Sequence, residues 1–85
     1  MQKRSRVTIT TDILEATMKP QKKMRIMYKA NLNYLRFNKY LNDFLSNGYI
    51  EPVKDEEGNG RYQITQKGKV LLSLLKKANE LGFSI

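Results

Sequence analysis

A capped amphipathic segment near the middle of the chain restricts the possible folds more than any other feature. Asn33 is a residue type that caps helices, so a helix is expected to begin at Tyr34. Gly48 readily adopts the left-handed backbone that ends helices, which places the end near Asn47. Between these limits the large apolar side chains recur at helical spacing, namely Phe37, Leu41, Phe44 and Leu45. The segment is therefore predicted to form a helix with one face in a core.

An alternation of apolar and polar residues replaces the helical spacing after this segment. Residues 49–53 and 61–65 each follow the two-residue period of a half-buried strand. Residues 54–60, between them, are rich in the turn formers Asp, Asn and Gly. The pattern predicts a β-hairpin. Pro52 has no N–H group and is expected at an edge or an irregular end of its strand.

Two helical patterns precede the central segment. Ser5 can cap a helix that is predicted over residues 5–18, although the β-branched run 7–11 also permits a short strand there. Pro20 interrupts the pattern, because the residue before a proline disfavours the α conformation. A short helix is then predicted over residues 22–29.

The last helix is predicted over residues 66–81, with Thr65 as its cap and Gly82 as its stop. Its apolar stripe is wider than one helix needs for the core of a small domain, and Leu72 lies on the other side. We expect the surplus to form an isologous homodimer interface. The predicted interface residues are Leu71, Leu74, Leu75, Ala78, Leu81 and Phe83. Packing of the whole stripe within one chain is the alternative.

The predicted elements follow the order helix, helix, helix, strand, strand, helix. Three helices with a trailing hairpin form a winged helix-turn-helix, a mainly α fold with a small β-hairpin, whereas a ferredoxin-like or four-helix fold needs a different order. With 85 residues, the chain is expected to form a single winged-helix domain over residues 1–85. Residues 1–6 are predicted to be a basic N-terminal arm, and residues 66–85 a dimerisation helix and tail.

The distribution of charge indicates the partner. The formal net charge is +8, and residues 1–40 hold ten basic and two acidic residues, which is the whole excess. Residues 41–85 hold six of each sign. A sign asymmetry of this kind is typical of proteins that bind a polyanion, with a solubilising surface as the alternative.

The residue types that the chain lacks exclude several functions. There is no His and no Cys, so disulfides, thiolate nucleophiles and the usual zinc sites are excluded. The acidic residues form no spaced ligand set, and no phosphate-binding glycine loop is present. No enzymatic activity, cofactor, metal or small-molecule ligand is therefore predicted. No apolar run reaches the roughly 18 residues of a membrane helix, so a soluble, intracellular protein of the cytoplasm or nucleoid is expected.

The outward face of the central helix carries candidate base-reading groups. Arg and Lys donate to guanine and Asn bonds adenine, so a basic, amide-bearing helix suits the major groove of double-stranded DNA. The candidate DNA-binding residues on this helix and its cap are Asn33, Tyr34, Leu35, Arg36, Asn38, Lys39 and Asn42. Leu35 could contact a thymine methyl group or cover apolar surface of a neighbouring element. A solvated helix face that binds nothing is the alternative.

Basic residues at the start of the second helix are candidate phosphate contacts. Lys22, Lys23 and Arg25 occupy a first turn, where cations oppose the helix dipole and acidic residues would be more stabilising. Arg4 and Arg6 belong to the N-terminal arm, which is expected to follow a phosphate backbone or enter a minor groove. An exposed lysine-rich loop and a disordered tail are the respective alternatives.

The hairpin loop has the opposite charge. Asp55, Glu56 and Glu57 would repel phosphate, although Lys54 and Arg61 flank them and could still reach it. The hairpin is therefore expected to contribute little to DNA binding, or to contact protein instead.

Several stretches resemble a family of small archaeal winged-helix DNA-binding proteins and regulators. The most specific is RIMYKANLNY at residues 25–34. Weaker matches bring the resemblance to about residues 4–75, and they lie in residues 12–16, 39–41, 48–50 and 62–69. The family includes dimeric chromatin-associated proteins with a C-terminal antiparallel coiled coil. The resemblance thus implies double-stranded DNA as partner and a homodimer through the last helix.

The chain departs from this family pattern in three places. Asn33 replaces the more usual Ser but keeps the capping function, the last helix is too short for a long coiled coil, and the hairpin loop is acidic.

Two rival functions remain. A winged helix that binds only protein would not need a segregated basic surface, and RNA-binding domains display stacking aromatics, whereas Tyr49 and Tyr62 have the spacing of packing residues.

Overall fold

The computed structural model describes residues 5–82, so the predicted roles of Arg4 and Phe83 lie outside the described residues. Four helices and a two-stranded antiparallel sheet follow one another in the predicted order, which confirms a mainly α fold with a hairpin. The elements are α1 (Arg6–Ala16), α2 (Lys23–Ala30), α3 (Tyr34–Ser46), β1 (Ile50–Lys54), β2 (Gly60–Ile64) and α4 (Gln66–Glu80). None of the helices in residues 5–82 is both long and apolar enough to cross a membrane.

The first helix is continuous through its β-branched run, so the alternative of a strand at residues 7–11 is wrong. The Ser5 hydroxyl accepts from the Thr8 N–H at 3.1 Å and caps the helix. Ile9, Ile13 and Leu14 are buried on one face. Burial of three large apolar side chains, about 1.5–3 kcal/mol each, outweighs the weak helix propensity of Thr and Val.

The second and third helices form a compact helix-turn-helix. Asn31 adopts a left-handed backbone, with φ at 54°, and turns the chain after α2. The Asn33 side chain accepts from the Arg36 N–H at 2.9 Å, as its type predicted. Phe37 on α3 is completely buried and anchors the helix to the core beside Ile26 of α2.

A third segment pairs with the hairpin, which the alternating pattern did not predict. Gln21 and Tyr62 exchange two N–H to C=O hydrogen bonds, each 2.9 Å long, so the segment after α1 pairs with the free edge of β2. Both backbone groups of Tyr62 therefore face Gln21, and its partner in β1, Pro52, lies at a non-hydrogen-bonded position. The missing N–H of Pro52 consequently leaves no ladder bond unmade.

The fourth helix packs on the core through Leu72, with Leu71 partly buried beside it. Leu72 is buried, and Gly68 lies against the hairpin. The sequence pattern left the inward side of α4 undefined, because apolar residues lie on several of its sides. The Thr65 hydroxyl fixes the start of α4, since it donates to the Gly48 carbonyl at 2.5 Å and accepts from the Gly68 N–H at 3.0 Å.

Candidate nucleic-acid interface

The outward face of α3 lies opposite its buried side chains. Phe37, Leu41 and Phe44 are in the core, while the predicted base-reading side chains Leu35, Arg36, Lys39 and Asn42 are exposed and Asn38 is half-buried. An α-helix with one face fixed in a core and a polar, basic face in solvent is a shape and charge that fit a DNA major groove.

A cation–aromatic contact links the start of α3 to the start of α2. The Lys23 ammonium lies 5.3 Å from the centre of the Tyr34 ring. Such a contact stabilises by about 0.5–1 kcal/mol at an exposed site. It brings two predicted site residues together, which their separation in sequence did not reveal. Asn33 lies beside them, but its side-chain oxygen already caps α3, so only its amide N–H groups are available to a ligand.

The start of α2 carries uncompensated positive charge. Lys22 is the N-cap residue, makes no side-chain cap, and is followed by no acidic residue in the first turn. Lys22 and Arg25 are exposed and Lys23 is half-buried. In the described part of the chain, none of the predicted DNA-binding cations on α2 or α3 forms an ion pair. Their charge is therefore available to a polyanion.

Of the predicted N-terminal arm, Arg6 is the cation that falls within residues 5–82, and its side chain lies near α3. Its guanidinium nitrogen Nη2 is 4.0 Å from a carboxylate oxygen of Asp43, and both side chains are mostly exposed. An exposed pair of this length stabilises little, at most about 1 kcal/mol. Arg6 is thus positioned at the C-terminal half of α3, away from the basic start of α2.

Arg61, in β2 beside the hairpin loop, is paired with Asp55 of that loop. Nε and Nη2 of Arg61 donate to one Asp55 oxygen at 3.2 and 3.1 Å. The other oxygen accepts from the N–H groups of Asn59 and Glu57. The Asn59 N–H, followed by the Arg61 guanidinium, lowers the pKa of Asp55 against the opposing effect of partial burial. Arg61 is therefore engaged within the loop, which agrees with a hairpin that adds little positive charge to the surface.

An apolar groove lies between α1, the C-terminal half of α3 and α4. It has a volume of about 600 Å³ and is lined by Val7, Phe44, Tyr49, Leu71 and Leu75 together with polar side chains at its rim. Of the predicted dimer-interface residues, Leu71 and Leu75 line this groove and are half-buried, and Ala78 is half-buried as well. Leu74 and Leu81 are 62% and 67% exposed and point into solvent.

Two curated relatives come from Methanocaldococcus jannaschii and are uncharacterized proteins. Each is 35% identical to this chain over 80 residues, or 93% of its length. The match spans 77% of the first relative and 36% of the second, which is a much longer protein.

Solved structures share the arrangement of helices and hairpin. Sso10a-2, a DNA-binding protein from Sulfolobus solfataricus, has a TM-score of 0.78 and 27% identity, over 92% of this chain and 81% of its own. FabT of Streptococcus pneumoniae in complex with DNA has a TM-score of 0.67 and 21% identity, over 92% of this chain and 56% of its own. At that identity FabT indicates the fold alone.

A family model described as winged helix-turn-helix matches residues 3–82, which is nearly the whole chain. The match covers every helix and strand of the structure, including the basic helix-turn-helix and the acidic hairpin. The chain therefore belongs to the winged helix-turn-helix family.

Proposed function

We propose that this protein binds double-stranded DNA, as a transcriptional regulator or a chromatin-type protein, with α3 in the major groove. The observation that carries the proposal is the outward face of α3, where Arg36, Lys39 and Asn42 are exposed and the two cations form no ion pair with any other of residues 5–82. The likeness to Sso10a-2, a DNA-binding protein, supports it.

The basic start of α2 is proposed to contact phosphate. Lys22, Lys23 and Arg25 lie at a helix N-terminus whose first N–H groups have no side-chain cap. Phosphate would satisfy both the cations and these donors. The contact between Lys23 and Tyr34 holds this phosphate-binding region close to the start of the helix that reads bases.

The protein is proposed to act as a homodimer through α4. The exposed leucines Leu74 and Leu81 share the outer side of the helix with Val70, which is 52% exposed. Exposed apolar side chains at this spacing form a stripe that a second copy would cover, and two-fold dimers are the form in which helix-turn-helix proteins bind two half-sites of one duplex.

The test is binding to a fluorescent random-sequence duplex at increasing salt. Binding is expected to weaken steeply, with a slope of about −0.9 in log K against log salt for each phosphate contact. Lys22→Glu should weaken binding to all sequences and reduce the slope. Lys69→Glu, which makes the same change in charge at an exposed site on α4, should have a much smaller effect. No measurable duplex binding at low salt would refute DNA binding and favour a protein-interaction module.

A further inference from the structure

Leu35 is an exposed apolar side chain that nothing in the fold explains. At 75% exposure it is the most exposed of the large apolar side chains among residues 5–82. It is the second residue of α3 and lies on the outward face, one turn before Lys39. Asn33 already caps this helix and Phe37 anchors it in the core, so leucine at this position serves neither purpose.

The surroundings of Leu35 do not form an apolar docking patch. Its neighbours along the outward face are Arg36, Lys39 and Asn42, all polar or charged and exposed. Tyr34, beside it in sequence, is also exposed, but the Lys23 ammonium lies over its ring. A contiguous apolar patch is the usual mark of a protein-interaction site, and among the described residues exposed apolar side chains share a face on α4 instead, at Val70, Leu74 and Leu81. A partner for Leu35 must therefore offer one small apolar group within a polar and anionic surface.

The major groove of DNA provides such a group. Among the four base pairs, the thymine C5 methyl is the apolar group displayed there, between hydrogen-bonding atoms of the bases and the phosphates. The first residues of a recognition helix approach base edges most closely. We propose that Leu35 contacts a thymine methyl group and makes the protein select a T·A pair at one position of its site. This inference rests on the proposed DNA binding through α3.

The experiment begins with selection of binding sites from random duplex DNA by the wild type and by Leu35→Ala. The wild type is expected to enrich thymine at a position where the variant does not. The affinity of both proteins is then measured for the selected duplex and for the same duplex with uracil at that position. Uracil keeps every hydrogen-bonding atom of thymine and lacks only the methyl group.

The wild type should bind the uracil duplex about fourfold more weakly, which is the change expected for one buried methyl group. For Leu35→Ala the two duplexes should bind nearly equally, and the two measurements form a double-mutant cycle. Met18→Ala serves as the control, because Met18 is an exposed apolar residue outside the proposed interface. This control should keep the fourfold ratio.

Three results would overturn the thymine assignment while leaving DNA binding intact. They are no thymine enrichment that depends on Leu35, equal wild-type affinity for the thymine and uracil duplexes, and the full ratio in Leu35→Ala. A duplex with 5-methylcytosine at the position tests the second source of a C5 methyl group. Tighter binding to it than to the thymine duplex would also overturn the assignment. If the wild type bound no duplex DNA at all, that result would instead refute the proposed function itself.

Discussion

Gly68 is the residue at which α4 comes closest to the hairpin. A Cβ atom there would collide with the carbonyl oxygen of Tyr49 and lie 2.7 Å from Cγ1 of Ile64. Alanine normally stabilises a helix interior by about 1 kcal/mol relative to glycine. Here the backbone carbonyl cannot yield cheaply, so Gly68→Ala is expected to destabilise the protein by about 1–3 kcal/mol. The measurement is thermal unfolding, with an expected loss of several degrees in the midpoint.

Gly60→Ala is the matched control for this prediction. A Cβ atom at Gly60 would meet nothing within 4 Å, and its backbone is not left-handed. Its unfolding midpoint should stay close to that of the wild type. A higher unfolding midpoint for Gly68→Ala than for the wild type would contradict the close approach of α4 to the hairpin.

At the scale of elements, the cap of α3 joins stability and the proposed binding. Asn33 accepts the N–H of Arg36, so Asn33→Ala should destabilise the protein by about 0.5–2 kcal/mol. Asn33→Ser retains a capping oxygen and should remain close to the wild type in urea unfolding. The two variants also separate roles in binding, because equal losses of DNA affinity in both would assign Asn33 a direct contact. Equal stability of the alanine variant and the wild type would contradict the capping role.

The elements that sequence periodicity determines were predicted to within one or two residues. The limits of α3 follow from Asn33 and Gly48, and its inward and outward faces follow from the spacing of Phe37, Leu41 and Phe44. These features are local, because each depends on residues within a few turns. The candidate base-reading face was predictable for the same reason, since it is the side that the core leaves in solvent.

Features that depend on residues distant in sequence were not predictable in this way. Gln21 and Tyr62 are separated in sequence by the whole helix-turn-helix and by β1, and a single bridged residue has no period. The contact of Lys23 with Tyr34 depends on how α2 and α3 pack. The inward side of α4 is set by Gly68, the one side where the hairpin can approach closely. Apolar residues on several sides of α4 made every orientation compatible with the pattern.

At the scale of the whole molecule, the outer side of α4 decides whether two copies assemble. Leu74 and Leu81 are more than half exposed in the single chain, and covering them would stabilise a dimer of a domain that buries a limited core. Sedimentation at micromolar concentration is expected to give a dimer for the wild type. Leu74→Glu should give a monomer, because a two-fold interface brings the substituted position of each copy to the same contact.

Leu35→Glu is the matched control, since it places the same charge at another exposed leucine, on the proposed DNA surface. It should remain a dimer while losing affinity for DNA, whereas Leu74→Glu should lose the dimer and keep the weaker DNA binding of a single domain. The two variants thus separate assembly from phosphate and base contacts. A wild type that sediments only as a monomer, or a dimer that persists in Leu74→Glu, would remove α4 as the interface and leave its exposed leucines to another partner.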